Sequence, residues 1–397
     1  MSALSDLLVL DCSRVLAGPF CGQLFAEQGA RVIKVEPPEG GDFNRTWPTI
    51  VNSKPPGTSF LSVNKGKESL TLNLKHPEGK KVLYDLVRRA DVFIHNYLPE
   101  TADALGVDFE SLSQLNERLI WVSMTGYGAK GDLSNKPGFD TLMTAYSGIM
   151  SITGEPDRPP VKPGISAIDL STGMLAFAGA LAALHARSAG RSKGQKVEVS
   201  LLETAVTLLN FHAVNWLVAD KLDEREGADY GPIVPFGRYA CSDGDIMFGA
   251  PSNDVWERLC TAIGAHDLIG HAVLGTPDGR RDNRKACGDA LEAVLRQNSV
   301  AYWGGCLDRA GIANAPVRNI KQVLEDPQVV ANDMIVDYRL GDGRDVKLLG
   351  TPINLSADGG ERPRPPPLLG EHTDSVLSDT LGISATEISR LKSLGVI

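Results

Sequence analysis

The chain has no excess of positive charge. Its 397 residues carry 40 Lys and Arg against 49 Asp and Glu, a formal net charge of −9. Nucleic-acid binders normally show a basic patch or tail, so that class is set aside. An anionic ligand would have to find its positive charge locally. Cysteine is sparse: Cys12, Cys21, Cys241, Cys260, Cys287 and Cys306 are dispersed, with no C-x-x-C pair. The spacing suggests neither a zinc site nor a disulfide framework. It reads as buried, reduced thiols in a cytoplasmic protein. H-E-x-x-H is missing and the seven histidines are scattered, so no metal site is expected. The start, "MSALSDLLVLDCSRVL", lacks a basic flank and a long apolar core, so it does not read as a signal peptide. No window is expected to hold the roughly 18 apolar residues of a membrane span. The turn after the first apolar run reads "SRVLAGPFCG", which is not G-x-G-x-x-G, and no P-loop occurs. "GISAI" is not G-x-S-x-G, so Ser166 is not a nucleophile elbow. There is no internal repeat.

What is present is an alternation. Apolar runs at "LLVLDCSRV", "RVIKVEPP", "DVFIHNY" and "IWVSMTGYG" alternate with helical spacings at "PFCGQLFAEQGA", "HPEGKKVLYDLVRRA" and "FESLSQLNERL". Strands alternating with helices imply βαβ units and an α/β fold with a Rossmann-like parallel sheet. Near-continuous apolar strands fit a sheet covered on both faces. Two helices are predicted next, over 141–152 and 169–188, then another strand and helix from "GRSKGQKVEVS". Residues 1–220 are read as the first part of a large domain, and 221–235 as a linker. Residues 236–325 are read as a smaller α+β domain, and 326–397 as a return segment completing the large one.

One stretch raises a chemical question. From Lys162 to Arg187 the interior carries a single formal charge, Asp169, among Gly, Ala, Leu and Ile. Asp is a favoured helix N-cap, and "DLST" opens a helix. Gly164, Ser166 and Gly173 also suit a place where another molecule approaches closely. A carboxylate there can be a covalent nucleophile, kept ionised by the backbone N–H groups of the first helical turn.

Several segments together resemble the class III CoA-transferases, the CaiB/BaiF family. They include "LDCSRVLAGPFCGQLFAEQGARVIKVEPPEGGD", "NKGKESLTLNLKHPEGK", "DVFIHNYLPE", "GIMSITGEPDRPPVKPGISAIDLSTGM", "GQKVEVSLLETA", "PFGRYACSDGD", "SNDVWERLC" and "PPLLGEHTD", in the family's order. The resemblance implies that Asp169 attacks an acyl-CoA thioester, forming a mixed anhydride and then an aspartyl-CoA thioester. The N-cap role is then a companion one. Asp140 matches an acidic neighbour in the family's active site. CoA would lie near Leu72, Asn73 and Lys75 at its adenine, with further contacts near Ala17, Asn96 and Tyr97.

The chain departs from the family in places. Formyl-CoA transferases carry Gln where Leu16 stands and Arg near Pro37. Many members have Arg at Leu98 and a basic or polar residue near Ala104. The CoA phosphates would therefore fall to Lys65, Lys67, Lys75 or Lys136. "FGAPSND" replaces a glycine-rich loop, which argues against oxalate and formyl-CoA, and the resemblance places Gly249 and Asn253, with Phe139, at the substrate. The related fold of α-methylacyl-CoA racemases is the alternative. Its chemistry needs a His in a G-H-D segment, where this chain has Phe139, and a Glu near Ser252. A non-catalytic acyl-CoA-binding protein would have lost the nucleophile. The resemblance further implies an interlocked homodimer, with the small domain facing the partner's Asp169. It implies no cofactor beyond CoA as substrate, and succinyl-CoA as donor to a short carboxylic acid.

Overall fold

In the computed structural model, which describes residues 2–50, 54–359 and 362–397, elements alternate from the start. In order they are β1 (Leu8–Asp11), α1 (Ala17–Glu27), β2 (Arg31–Glu36), α2 (Thr58–Ser62), β3 (Lys67–Thr71), α3 (Pro77–Val87), β4 (Val92–His95), α4 (Pro99–Leu105), α5 (Phe109–Leu115) and β5 (Ile120–Thr125). There follow α6 (Asp140–Tyr146), α7 (Ala167–Ser188), β6 (Gln195–Ser200), α8 (Leu201–Leu209) and α9 (Phe211–Ala219). The six strands form one sheet in the order β3-β2-β1-β4-β5-β6, every pair parallel. Successive side chains of a strand point to opposite faces. Val9, Val92, Ile94, Ile120 and Val122 therefore join one core with α1, α7 and α8. Leu10, Phe93 and Trp121 join the other with α3, α5 and the C-terminal helix. This is the α/β fold with a Rossmann-like sheet that the alternation predicts.

The chain divides into two compact units. The first runs to Ile149 and includes Lys162–Ala219 and Val330–Ile397; the second holds Met150–Val161 and Asp220–Val329. The short loop Met150–Val161 thus groups with the smaller unit. Arg225 is the reason: its guanidinium donates to the carbonyls of Ser151, Glu155 and Pro156 at 3.2–3.4 Å. The residues read as a linker also group there, and Val234 enters that unit's core.

The second unit carries a small antiparallel sheet of β7 (Phe236–Ala240), β8 (Asp245–Gly249) and β9 (Asn314–Pro316). Packed with it are α10 (Asn253–Ile263), α11 (Pro277–Asp282), α12 (Arg284–Leu295) and α13 (Val300–Arg309), with α14 (Ile320–Leu324) and α15 (Pro327–Ala331) closing the segment. The return segment adds the hairpin β10 (Ile335–Arg339) and β11 (Asp345–Leu349), then α16 (Thr373–Ser375) and α17 (Ala385–Ser393). It is sewn to the sheet edge. Gly370 N–H donates to Ser69 Oγ at 2.9 Å, Thr71 N–H to Thr373 Oγ1 at 3.0 Å, and His372 N–H to the Ser69 carbonyl at 3.0 Å. This is what the "LLGEHTD" stretch does.

Three local differences have physical causes. Strand β3 is not announced by the sequence because it opens on Lys67 and Glu68. Lys67 is nevertheless fully buried, paired to Asp11 at 2.7 Å. The helix predicted over 141–152 stops at Tyr146, before Gly148 at φ 96°. Finally, α7 is 22 residues long, with an apolar window of mean hydropathy 1.6. Among the described residues, this helix is therefore long and apolar enough to cross a membrane, contrary to expectation. Its Thr172, Gly173, Ala176 and Ala180 are buried in the first unit's core. Gly173 is where α1 approaches: a Cβ there would stand 2.6 Å from the Ala17 carbonyl oxygen. The backbone that this glycine admits is the protein's own, not a ligand's.

Candidate active site

In open parallel sheets the ligand cleft forms beyond the carboxyl ends of the strands, where the strand order reverses. Here that point lies between β1 and β4. The loop after β1 (Arg14–Ala17), the loop after β4 (Asn96–Leu98), the end of β5 (Met124–Gly126) and the Pro137–Phe139 loop surround a cavity of about 340 Å³. Asp169 lies in its wall. Gly126 and Gly138 let two of these loops touch backbone to backbone: a Cβ on Gly138 would fall 2.6 Å from the Gly126 Cα.

Asp169 is not the cap of its helix. It is the third residue of α7, and Ser166 at the N-cap position makes no side-chain cap. The cap comes from Asp140, the first residue of α6. Its Oδ2 accepts from the Ile168 N–H at 2.9 Å and from the Asp169 N–H at 3.1 Å. The N–H groups expected to hold Asp169 ionised are thus spent on Asp140, and the expectation reverses. Burial and then the Asp140 charge push the Asp169 carboxyl up to about 7. A carboxylate of raised basicity is the result. Behind it, Thr172 Oγ1 donates to Thr204 Oγ1 at 2.9 Å, fixing α7 against α8.

These values set a pH dependence. Below about pH 7 Asp169 takes up a proton, so the kcat/KM of any reaction that uses its carboxylate is expected to fall there with unit slope. Asp140→Asn keeps an acceptor for the two N–H groups and removes the like charge. It is expected to move the acid limb to lower pH. A pH–rate profile of both proteins checks this; an unmoved limb would remove Asp140 as its cause.

Of the residues singled out in the sequence, Ala17, Asn96, Tyr97, Phe139 and Asp169 line this cavity, with Asp140 bonded behind Asp169. Asn96 does so as a clamp: Oδ1 accepts from the Arg14 N–H at 2.9 Å and Nδ2 donates to the Arg14 carbonyl at 2.8 Å. Lys136 is exposed beside the lining residue Pro137, its Nζ 5.4 Å from the Tyr127 ring centroid. Leu72, Asn73 and Lys75 lie apart from the lining, in the turn after β3. Leu72 is buried in the core and its N–H donates to the Glu36 carbonyl at 2.7 Å, while Lys75 is exposed. Lys65 and Lys67 cannot hold phosphates. Both are buried, paired to Glu27 at 2.9 Å and to Asp11 at 2.7 Å.

Gly249 and Asn253 belong to the second unit. A Cβ on Gly249 would meet the Phe236 ring at 2.3 Å, so cross-strand packing accounts for that glycine. Asn253 Oδ1 accepts from the buried Arg280 at 3.2 Å. The sequence reading missed Arg14. Among the described residues lining the cavity it is the one cation, its guanidinium carbon 5.8 Å from the Tyr97 ring centroid. The signal was its place in the turn directly after β1. No histidine lines the cavity among the described residues, and Phe139, 53% exposed, is part of its wall.

Comparison with known proteins agrees with this geometry. Residues 4–373 match the family described as CoA-transferase family III. The chain is 34% identical over 395 residues to the succinyl-CoA:glutarate CoA-transferase of Homo sapiens, covering 99% of this chain and 90% of that one. It is 34% identical over 390 residues to the succinate–glutarate CoA-transferase of Agrobacterium fabrum, covering 96% and 97%. A solved CAIB/BAIF family protein from Brucella suis superposes with a TM-score of 0.87 at 32% identity, covering 95% of this chain and 99% of that one. Sheet, cleft and sequence thus converge, and the chain belongs to CoA-transferase family III, an enzyme that transfers CoA.

Proposed function

We propose that the protein moves CoA from a dicarboxylyl-CoA, succinyl-CoA, to a short carboxylic acid, with Asp169 as the covalent relay. The observation that carries this is the basic, half-buried Asp169 carboxylate in the wall of a cleft at the strand-order switch. The Asp169 oxygen attacks the thioester carbonyl, the C–S bond breaks, and CoA leaves as thiolate, giving a mixed anhydride. The thiolate then attacks the Asp169 carbonyl carbon and displaces succinate, giving an aspartyl-CoA thioester. The acceptor carboxylate attacks that thioester, and the released thiolate takes the acceptor's acyl group, restoring Asp169. Each step exchanges an oxygen for a sulfur at a carbonyl, with no redox change and no net proton. The chemistry therefore calls for no cofactor beyond CoA itself. An apolar wall holding Leu16, Ala17, Met124 and Phe139 supports the reading, because water would hydrolyse the anhydride. The relatives' names favour succinyl-CoA as donor and dicarboxylic acids of the glutarate class as acceptors.

Purified protein is to be offered succinyl-CoA and a panel of free acids, with the CoA esters separated by chromatography. A new ester that appears only with an added acid supports the reading. Deuterium incorporation at the α-carbon of a 2-methylacyl-CoA, with no acid accepting CoA, would overturn it.

We also infer a homodimer. Along α9, Leu217 is 78% and Val218 80% exposed, with Val214 and Trp216 more than half exposed. A contiguous apolar face of this kind marks an interaction surface. Light scattering is expected to give twice the chain mass. Trp216→Glu is expected to shift it toward the monomer; a monomer in the parent protein would remove the inference. A reducing, cytoplasmic setting fits the six free thiols, five of them buried, with burial pushing Cys260 up to about 12 and Cys287 to about 11.

A further inference from the structure

The loop after β1 is held in a conformation that its sequence does not favour. Val15 sits at φ 71°, the left-handed region, where a β-branched residue is a strained outlier. Its support comes from side chains. Ser13 N–H donates to Asp11 Oδ1 at 3.0 Å, and the Ser13 carbonyl accepts from Lys34 Nζ at 2.9 Å. Arg14 is clamped at both backbone groups by Asn96. Val15 N–H donates to both Asp42 oxygens at 3.1 and 3.3 Å, and its carbonyl accepts from Asn44 Nδ2 at 2.7 Å. All six polar groups of three successive residues therefore end on side chains.

Those side chains are a costly arrangement. Asp11, Lys34, Asp42 and Asn44 are each at most 1% exposed. Asp42 pairs with Lys34 at 3.2 Å, and Asn44 Oδ1 has no hydrogen-bond partner among the described residues. Buried ion pairs add little net stability, and a half-satisfied buried amide subtracts from it. The loop that these side chains hold borders the cavity. Successive side chains alternate along a strand and rotate by about 100° in a helix. Yet Arg14, Val15, Leu16 and Ala17 all line one cavity. The left-handed Val15 lies inside that run.

We propose that Asp42 and Asn44, with Lys34 behind Asp42, are positioning residues. They hold Val15 left-handed so that the Arg14–Ala17 wall meets the acyl-CoA beside Asp169. This rests on the transferase reading.

The test is a double-variant cycle. Asn44→Ala is expected to lower kcat about 10-fold through misplacement of the wall, with the KM for succinyl-CoA changed less than about 2-fold. Glycine adopts positive φ unaided, so in the Val15→Gly background the same substitution is expected to lower kcat less than about 2-fold. An equal factor in both backgrounds would overturn the proposal, since a packing role ignores residue 15. Hydrogen exchange of the Ser13–Ala17 amides is read on the same proteins and needs no turnover. Asn44→Ala is expected to speed exchange there, and Val15→Gly to restore protection. If the chain transfers no CoA, the proposed function fails while the exchange cycle still decides the positioning. Should Asn44→Ala fail to fold, Asp42→Asn takes its place in the same cycle.

Discussion

Replacing Asp169 by Asn is expected to abolish CoA transfer, by at least about 10³-fold in kcat, and to make the folded protein more stable at pH 8. Burial and Asp140 raise the carboxyl from an ordinary value of 3.8 to about 7. The folded state therefore holds this proton more tightly than the unfolded chain. Stability is fully present below about pH 4 and is lost as pH rises through about 7. Each tenfold change in proton affinity is worth about 1.4 kcal/mol, and solvent screening at a half-buried group takes part of it back. A gain of about 2 kcal/mol for Asp169→Asn at pH 8, vanishing near pH 4, is the expected result. Denaturant melts at the two pH values check it. Equal stability at pH 8 would mean that the carboxylate sits in no strained electrostatic environment.

The second large effect lies away from the cavity. Lys67→Met is expected to destabilise the first unit by about 3–5 kcal/mol, because it strands a buried carboxylate. Lys67 Nζ donates to Asp11 Oδ2 at 2.7 Å, to Asn64 Oδ1 at 2.8 Å and to the Pro19 carbonyl at 2.7 Å. One ammonium thus ties β3 to the end of β1 and to the start of α1. Burial outweighs Asp11's attraction and lowers Lys67 to about 8, so it is still charged at neutral pH. Burial likewise works against Asp11, but Lys67 and Lys34 outweigh it and hold that carboxyl below the usual range. The double variant Asp11→Leu/Lys67→Met removes both charges and is expected to recover much of the loss. Chemical denaturation measures all three proteins. A single variant as costly as the double would contradict the pairing.

Local pattern announced the parallel sheet because its central strands are apolar runs on a period that helices do not share. It failed at β3, where Lys67 is charged and its neutralising partner Asp11 lies 56 residues earlier. The same distance problem misdirected the phosphate assignment. A buried and a solvated lysine read alike, so Lys65 and Lys67 stood as candidates while Arg14 did not. Asp169 was legible as a lone charge opening an apolar helix. Its protonation was not, because the decisive neighbour, Asp140, meets it only through tertiary packing. Ala17, Asn96 and Tyr97 gather round one cavity because they follow β1 and β4 at the switch, and Phe139 joins them from the loop before α6. Leu72, Asn73 and Lys75 follow β3, at the edge of the same sheet, and so lie apart from that cavity.

The central claim is that Asp169 carries CoA covalently. Protein incubated with succinyl-CoA, quenched in acid and digested, is to be analysed by peptide mass spectrometry. The account predicts a CoA adduct on the peptide containing Asp169, lost when an acceptor acid is added before quenching. CoA transfer that proceeds with no adduct on that peptide, or with an adduct on another residue, would contradict it.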